Sequence, residues 1–294
     1  MVTRDAIDQV RRFNRAVAET IGAIDDHFLG RGRPMGESRV LWEIGVDGME
    51  LRTLRTRLSL DSGYLTRVLQ SLARQGFVRV RPGREDRRVR VASLTAKGVA
   101  ERDELDRRSN DLAAGVLQPL GASQREALVA AMTRVEQLLR ASKVRFAVED
   151  PSTPDARWCL EQYFAELNAR FDAGFDPSHG IPAEPVEMRP PAGAFVVARL
   201  RGEPVGCGGI KLHARRPAEL RRMWVASSSR GLGIGARLLA ELERLARDAG
   251  ATVVHLETNR TLAEAIALYR RSGYVEVAPF NDEAYAHHWF EKHL

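Results

Sequence analysis

Apolar positions recur at helical spacing through most of the first 75 residues. From residue 6 to residue 29 they return every three or four positions, which predicts one long amphipathic helix that ends before the glycine-rich run at 30–34. Asp61 or Ser62 is a suitable N-cap for a later helix, in which leucine and valine form the buried stripe and Gly76 supplies the stop. The helices predicted in this region cover about residues 6–29, 38–45, 51–58 and 62–75.

The pattern then changes to alternation in two short stretches. Residues 77–81 and 88–94 alternate apolar and polar or basic side chains on either side of a turn that begins Pro-Gly at 82–83. This predicts a β-hairpin with arginines at its tip. Two more amphipathic helices are predicted at about residues 96–116 and 123–146, so the first half of the chain is mainly helical.

The second half has the pattern of mixed α/β structure. Residues 150–155 mark a junction, although 146–149 is already a candidate first strand. Residues 175–191 are rich in proline and have no period, and long irregular segments of this kind often carry function. The predicted elements are a helix at 154–171, strands at 194–200, 205–211, 218–225 and 252–258, helices at 236–247 and 263–271, and a strand pair ending at 290.

Composition limits the class of protein. With 44% hydrophobic and 29% charged residues, a chain of 294 residues has an ordinary globular composition and enough length for two domains. No apolar run approaches the length of a membrane span, and the first residues lack a signal-peptide core, so we expect a cytoplasmic protein without a membrane partner. Cys159 and Cys207 form no close-spaced motif, which predicts buried free thiols and no metal site.

The net charge of +6 is concentrated in the first half. Residues 1–145 contain 27 basic and 19 acidic side chains, whereas the rest of the chain contains 18 and 20. Within residues 52–90 there are 11 arginines against three acidic residues. A solvated basic face is the simpler explanation, but an excess this local favours a surface for nucleic acid.

The basic window includes the helix predicted at 62–75 and the hairpin that follows it. Arginines and hydroxyl side chains occupy the outward face of this helix, which suits insertion into the major groove. Together with the helix before it and the hairpin after it, this arrangement is a winged helix-turn-helix, and it resembles the MarR family of bacterial regulators. The residues that carry the resemblance are Thr66-Arg67, Gly76-Phe77-Val78, Asp86-Arg87-Arg88, Leu94-Thr95 and Lys97-Gly98.

The resemblance to the MarR family implies how DNA would be bound. An acid–arginine pair would order the Asp-x-Arg element of the wing, which carries arginine toward the minor groove. The N- and C-terminal helices of the region would pack into a homodimer on a pseudo-palindromic site in double-stranded DNA. The DNA-binding residues that we predict are Ser62, Tyr64, Thr66, Arg67, Arg84, Arg87 and Arg88.

Three glycines at alternate positions occur in Arg230-Gly-Leu-Gly-Ile-Gly235, directly before a helix-forming run that begins at Ala236. Glycine permits close backbone approach, and a helix N-terminus offers free N–H groups and a positive dipole end, so a phosphate-binding loop is predicted. The spacing Gly231-x-Gly233-x-x-Ala236, with Glu257 further on, also matches the dinucleotide-binding fingerprint. The charged strand before the loop, and the mere 37 residues after Glu257, argue against that interpretation.

The glycine loop resembles the pyrophosphate loop of the GNAT superfamily of N-acetyltransferases. The resemblance continues through the strand at 252–258, the helix ending near Tyr269 and the pair Gly273-Tyr274, and it covers residues 146–294. It implies the GNAT fold, a mixed and mostly antiparallel sheet with helices on both faces, and a loop that binds the pyrophosphate of acetyl-CoA. The cofactor-binding residues implied are Met223, Val225, Arg230, Gly231, Leu232, Gly233, Ile234, Gly235, Ala236, Asn259 and Tyr269.

Acetyl transfer to an amine requires a proton acceptor for the amine and a proton donor for the departing sulfur. By resemblance, Glu219 at the head of the strand before the loop is the base and Tyr269 is the general acid, while Glu257 is a second candidate base. A solvated strand-end charge and a core aromatic are the structural alternatives. Many GNAT members carry asparagine seven residues before the tyrosine; here that position is Leu262, and Asn259 is the candidate substitute.

The sequence thus predicts two domains. Residues 1–145 form a mainly α, MarR-like winged helix-turn-helix and dimerisation domain, and residues 146–294 form an α/β GNAT domain. The function predicted is that of a bifunctional transcriptional regulator and acetyl-CoA-dependent N-acetyltransferase acting on a primary amine. The alternative is a DNA-binding regulator whose second domain is a non-catalytic sensor of acetyl-CoA or another small ligand. The identity of the amine is left open.

Overall fold

The computed structural model describes residues 2–23, 27–83, 86–172, 174–181, 184–214 and 216–294. The chain divides into two compact units, Met1–Ala131 and Met132–Leu294. This division falls inside the helix Ala122–Ser142, whereas the boundary predicted from the sequence follows residue 145. The assignment of domains at 145 and 146 stays a prediction.

The first unit is mainly helical, with one small sheet. Its strand β3 lies between β1 and β2, and both pairings are antiparallel. The elements are α1 Arg4–Thr20, α2 Met35–Ile44, β1 Met49–Glu50, α3 Leu51–Leu58, α4 Ser62–Arg74, β2 Val78–Pro82, β3 Arg90–Leu94 and α5 Ala96–Leu117. The helix α6 (Ala122–Ser142) begins in this unit and ends in the second.

The helix α4 has the N-cap and the buried stripe that its sequence predicts. The Oδ1 atom of Asp61 accepts a hydrogen bond from the backbone N–H of Tyr64 at 2.8 Å. This bond satisfies one of the amide groups that a helix N-terminus leaves free. Its apolar stripe lies in the core of the first unit and consists of Leu65, Val68, Leu69 and Leu72.

The prediction of one helix from residue 6 to residue 29 is wrong. The helix α1 ends at Thr20, and a separate 3₁₀ turn covers Phe28–Gly30. Gly22 adopts a φ of 63°, in the left-handed region, which a right-handed helix cannot continue through. Ile21 extends the apolar periodicity past Thr20, so the pattern alone predicts a helix that is too long.

A buried ion cluster fixes the segment after the 3₁₀ turn to α5. Glu101 accepts hydrogen bonds from Arg31 (Nε at 2.8 Å and Nη2 at 2.6 Å) and from Arg33 (Nη1 at 2.5 Å). The Arg33 and Glu101 side chains are both buried. The hydrogen bond from Arg31 is the main cause that lowers the pKa of Glu101. A buried charge cluster of this kind depends on every member, because losing one leaves another uncompensated.

The second unit is an α/β structure built on one sheet with the strand order β4-β5-β6-β7-β8-β10-β9. The strand β7 pairs with β8 in parallel, and the other neighbouring strands that the structure describes pair antiparallel. The elements are β4 Arg145–Val148, α7 Pro154–Arg170, β5 Gly193–Leu200, β6 Glu203–Lys211, β7 Ala218–Val225, α8 Ile234–Asp248, β8 Val253–Thr258, α9 Ala263–Arg271, β9 Val275–Val277 and β10 His288–His293.

Helices cover both faces of this sheet, as predicted. On β5, Val196 belongs to the core cluster that contains α8 and α9, whereas Val197 belongs to the cluster that contains Cys159 of α7. Because successive side chains of a strand point to opposite faces, α7 and α8 pack on opposite sides. Both cysteines are buried and free, which confirms the prediction of buried free thiols.

Candidate functional site

The site in the second unit lies where β7 and β8 separate. Among the described residues, their parallel register comprises Ala218 opposite Val254 and Glu219 opposite His255. Residues further along both strands line two adjoining cavities of about 400 and 110 Å³. We call the larger the loop cavity, because the glycine loop lines it, and the smaller the aromatic cavity. Residues shared by the two walls include Tyr163, Leu167, Met223, Leu262 and Tyr269.

The glycine loop presents bare backbone to the loop cavity. Gly231 and Gly233 adopt φ values of 78° and 71°, and a Cβ added at either would meet nothing within 4 Å. Gly233 is the N-cap of α8 and supplies no side-chain hydrogen bond, so the first N–H groups of this helix have no side-chain cap. An open wall with these amides and a helix N-terminus suits an anionic group.

Arg230 anchors the loop to α7. Its Nη2 atom contacts both carboxylate oxygens of Glu166, at 2.7 and 2.6 Å, and its Nε donates to the carbonyl oxygen of Val225 at 3.1 Å. Burial raises the pKa of Glu166, but hydrogen bonds from Arg230, Trp224 and Arg170 outweigh it and hold that pKa below its ordinary value. The Arg230 charge is thus paired with a carboxylate of the protein.

Most of the predicted cofactor residues share one wall. Leu232 is not among the described residues that line either cavity, and its side chain is buried in a core cluster. Asn259 lines the aromatic cavity instead, where its amide donates to the Tyr285 carbonyl and accepts from the backbone N–H of Thr261. Its proposed contact with a cofactor therefore stays a prediction. Those that line the loop cavity are Met223, Val225, Arg230, Gly231, Gly233, Ile234, Gly235, Ala236 and Tyr269.

Tyr269 lies between the two cavities. Its side chain is 5% exposed and packs edge-on against Tyr274. Burial, Tyr163 and Glu257 all raise the pKa of its phenol above the ordinary value. The Tyr269 phenol is therefore protonated at neutral pH and is a weaker acid than a phenol in water.

The structure distinguishes the two candidate bases. Glu257 lines the aromatic cavity, its side chain is 7% exposed, and burial raises its pKa although the Arg221 guanidinium in contact with it acts in the opposite sense. Glu219 is not among the described residues that line either cavity. Arg221 at 2.9 Å and His213 at 3.1 Å hold its carboxylate, and they lower its pKa against the effect of burial.

The winged helix-turn-helix presents part of the predicted DNA-binding set. On α4, Ser62, Thr66 and Arg67 are exposed, while Tyr64 is half-buried and packs its hydroxyl toward Gly36. The Thr66 hydroxyl donates to the Ser62 carbonyl at 2.7 Å. These positions lie on one face of a helix whose opposite face is core.

The wing differs from expectation in one detail. The Oδ1 atom of Asp86 accepts from the backbone N–H of Arg88 at 2.8 Å, so the acid orders the turn through the main chain. Arg87 and Arg88 are exposed. Arg84 lies outside the described residues.

Comparison with known proteins gives matches in both units. Residues 155–274 match the family model of the acetyltransferase (GNAT) family, and residues 35–89 match that of the MarR family. An "IAA acetyltransferase" of Azospirillum brasilense is 44% identical over 87 residues. That alignment covers 29% of this chain and spans 57% of the relative's length.

Two solved structures each match about half of this chain. A GNAT-family acetyltransferase of Staphylococcus aureus Mu50 is 18% identical with a TM-score of 0.45, covering 51% of this chain and 98% of that chain. A GNAT-family acetyltransferase of Elizabethkingia anophelis with acetyl-CoA bound is 14% identical with a TM-score of 0.37, covering 52% of this chain and 99% of that one.

The chain joins a winged helix-turn-helix to an α/β unit with a cleft beside the glycine loop. Residues 155–274 belong to the GNAT acetyltransferase family and residues 35–89 to the MarR family of regulators. Among the described residues there is no group of three or more side chains suited to a metal ion, and no described helix is long and apolar enough to cross a membrane.

Proposed function

We propose that this chain is a DNA-binding regulator that also transfers an acetyl group from acetyl-CoA to a primary amine. The observation that carries the catalytic part is the pair of adjoining cavities. The glycine loop, without a side-chain cap, lines the loop cavity, Glu257 lines the aromatic cavity, and Tyr269 lines both. An acetyl-CoA pyrophosphate fits the loop, because the space beside Gly231 and Gly233 is open and the α8 amides are available there.

Acetyl transfer needs one proton acceptor and one proton donor, which are Glu257 and Tyr269 in this proposal. Acetyl-CoA supplies an acetyl group activated as a thioester. Glu257 accepts a proton from the amine, whose nitrogen bonds to the acetyl carbon as the carbon–sulfur bond breaks, and Tyr269 donates a proton to the sulfur. The products are an acetamide and a free thiol. Burial raises the pKa of Glu257, which makes its carboxylate a better base. Burial also keeps the Tyr269 phenol protonated, although it makes the phenol a weaker acid than one in water.

Glu257 replaces Glu219 as the base in this proposal. A base must come within hydrogen-bond reach of the amine, directly or through one water. Glu257 lines the cavity, whereas Glu219 is held by His213 and Arg221.

The regulatory part rests on the first unit. The exposed face of α4 carries Arg67, and Arg87 and Arg88 extend from the wing. The apolar side chains of α1, which is without buried residues, are exposed at spacings of three to four; they are Ile7, Val10, Phe13 and Val17. A continuous exposed apolar stripe favours association, so we assign α1 to a homodimer interface.

Calorimetric titration with acetyl-CoA tests the cleft. The matched variants are Gly233→Val and Gly250→Val, because both glycines have positive φ (71° and 88°) and open space around the added Cβ, but Gly250 follows the opposite end of α8. We expect Gly233→Val to weaken acetyl-CoA binding by about tenfold or more and Gly250→Val to bind like the wild type.

Turnover is then measured by thiol release with a panel of primary amines. Release of one thiol per acetamide supports the proposal. Binding of acetyl-CoA with no turnover of any amine would favour a ligand sensor, and no binding by the wild type would refute the assignment of the loop.

A further inference from the structure

The strand β7 contains an arginine in an unusual backbone conformation. Arg222 has a φ of 57°, in the left-handed region, although it lies inside a strand. The register between β6 and β7 shifts at this point, between Cys207 and Gly209. This region is unfavourable for a residue other than glycine, and such outliers concentrate at functional sites.

The bulge brings two consecutive arginines to one cavity. In a regular strand, Arg221 and Arg222 would lie on opposite faces. Here both line the aromatic cavity. A bulge that re-aims a side chain in this way is typical of strands beside active sites.

The two arginines differ in their partners. Arg221 is buried and forms ion pairs with Glu219 and Glu257. The guanidinium of half-buried Arg222 lies over the ring of Phe164, 4.8 Å from its centroid. Among the residues that the structure describes, no carboxylate oxygen lies within 4 Å of the Arg222 guanidinium. The aromatic ring stabilises this cation without neutralising it.

Part of the remaining wall of the cavity is aromatic, beside the carboxylates of Glu257 and Glu283. The ring centroids of Phe175 and Tyr285 are 4.9 Å apart, and those of Phe171 and Tyr285 are 5.6 Å apart. The Tyr285 hydroxyl accepts from the backbone N–H of Asp176 at 3.0 Å, and Glu283 accepts from that of Ile181 at 2.6 Å. These bonds hold the irregular segment as a wall, so the rings form a preformed apolar surface.

We propose that the acceptor is a zwitterionic amino acid with an apolar side chain, a proposal that rests on the acetyl transfer described above. Its carboxylate pairs with Arg222, its amine lies toward Glu257, and its side chain packs on Phe171, Phe175 and Tyr285. Arginine is suited to this role because its planar fork matches a carboxylate with two parallel hydrogen bonds. Arg222 is then a specificity-determining residue.

Matched acceptors test the carboxylate contact directly. The acceptor pairs are phenylalanine with phenethylamine and leucine with 3-methylbutylamine, which differ only by the carboxylate. The readout is the ratio of kcat/KM for the amino acid to kcat/KM for its amine. Because amine basicity differs within each pair, the change of this ratio between variants is decisive.

We expect Arg222→Met to lower the ratio by about 10- to 100-fold, as loss of a hydrogen bond to a charged group does, and Arg222→Lys to lower it less. Arg201→Met is the matched control, because Arg201 also has a φ of 57° but is exposed in the turn between β5 and β6. It should retain the wild-type ratio. Thermal unfolding of each variant checks that the strained position still folds.

An unchanged ratio in Arg222→Met, or a wild type that acetylates only the amines, would overturn this proposal and leave acetyl transfer standing. A wild type that binds acetyl-CoA and turns over neither member of either pair would also overturn the assigned acceptor. Failure to bind acetyl-CoA would instead refute the proposed function itself.

Discussion

Replacing Glu257 by glutamine removes the proton acceptor that we assign to the cleft while keeping nearly the same size. The Arg221 and Glu257 side chains are 8% and 7% exposed, so water screens their contact poorly. General base catalysis contributes about 10²- to 10⁴-fold, and we expect Glu257→Gln to lower kcat/KM by that amount. Thiol release at saturating acetyl-CoA measures it.

The pH dependence of the wild type gives a second readout of the same residue. Burial raises the pKa of Glu257 above the ordinary value, so the acidic limb of kcat/KM should lie higher than for a solvated glutamate. The rate falls as pH decreases through this pKa, because a protonated carboxyl cannot accept the amine proton.

Removing Arg221 should shift the acidic limb of kcat/KM to still higher pH. Opposite charges about 4 Å apart attract by about 4 kcal/mol at an effective dielectric of about 20, which corresponds to at most about 3 pKa units. Arg221→Met should therefore raise the pKa of Glu257 by about 1–3 units and shift the acidic limb to higher pH.

Glu219→Gln is the matched comparison, because Glu219 contacts the same arginine but is outside the described cavity lining. We expect it to lose much less activity than Glu257→Gln. If Glu219→Gln loses activity as fully and Glu257→Gln retains it, the base is Glu219 and our reasoning from burial is refuted.

Three further predictions concern the first unit. Arg67→Ala should reduce the difference in binding free energy between operator and random DNA by about 1–3 kcal/mol. Arg87→Ala should weaken binding to operator and to random DNA alike, and in titrations across salt concentrations it should reduce the slope of log affinity against log salt by about one. If the two variants change affinity and discrimination equally, the separate roles are contradicted. Glu101→Gln should lower the free energy of unfolding by about 3 kcal/mol at pH 7 in urea, far more than Glu136→Gln in an exposed pair. Because the pKa of Glu101 is lowered, this stabilisation is present above the unfolded-state value of 4.5 and is lost as pH falls through the folded-state value, so wild type and variant should converge in acid. Phe13→Glu should shift the proposed homodimer toward monomer in analytical ultracentrifugation, and an unchanged mass would exclude α1 from the interface.

Local signals predicted much of this fold from the sequence. The strand Ala218–Val225 was predicted at the bounds that the structure has, and the Asp61 cap forms as expected. Caps, turns and alternation depend on neighbours a few residues away, so sequence alone contains them. The end of α1 was missed because Ile21 continues the apolar periodicity, although the backbone at Gly22 is no longer helical.

The candidate site was predicted less evenly. The glycine loop was found because its spacing is local, and it lines a cavity as expected. The choice between Glu219 and Glu257 depends on how β7 and β8 pair and then separate, which is a long-range property. Both residues occur in strands, and their sequences contain no signal that one carboxylate enters a cavity while the other is held by His213.

Arg222 shows why the acceptor wall could not be predicted from the sequence. Alternation along a strand would place Arg222 on the face opposite Arg221, and a charged pair inside a strand suggests only an exposed edge. The left-handed φ and the register shift reverse that expectation by bringing both residues to one cavity. Arg221 forms ion pairs with Glu219 and Glu257. In our proposal, Arg222 is therefore the arginine that binds the ligand. The glycine loop that would hold the acetyl donor can therefore be predicted from local sequence. The role proposed for Arg222 in selecting the acceptor cannot, because it depends on a single irregular backbone position.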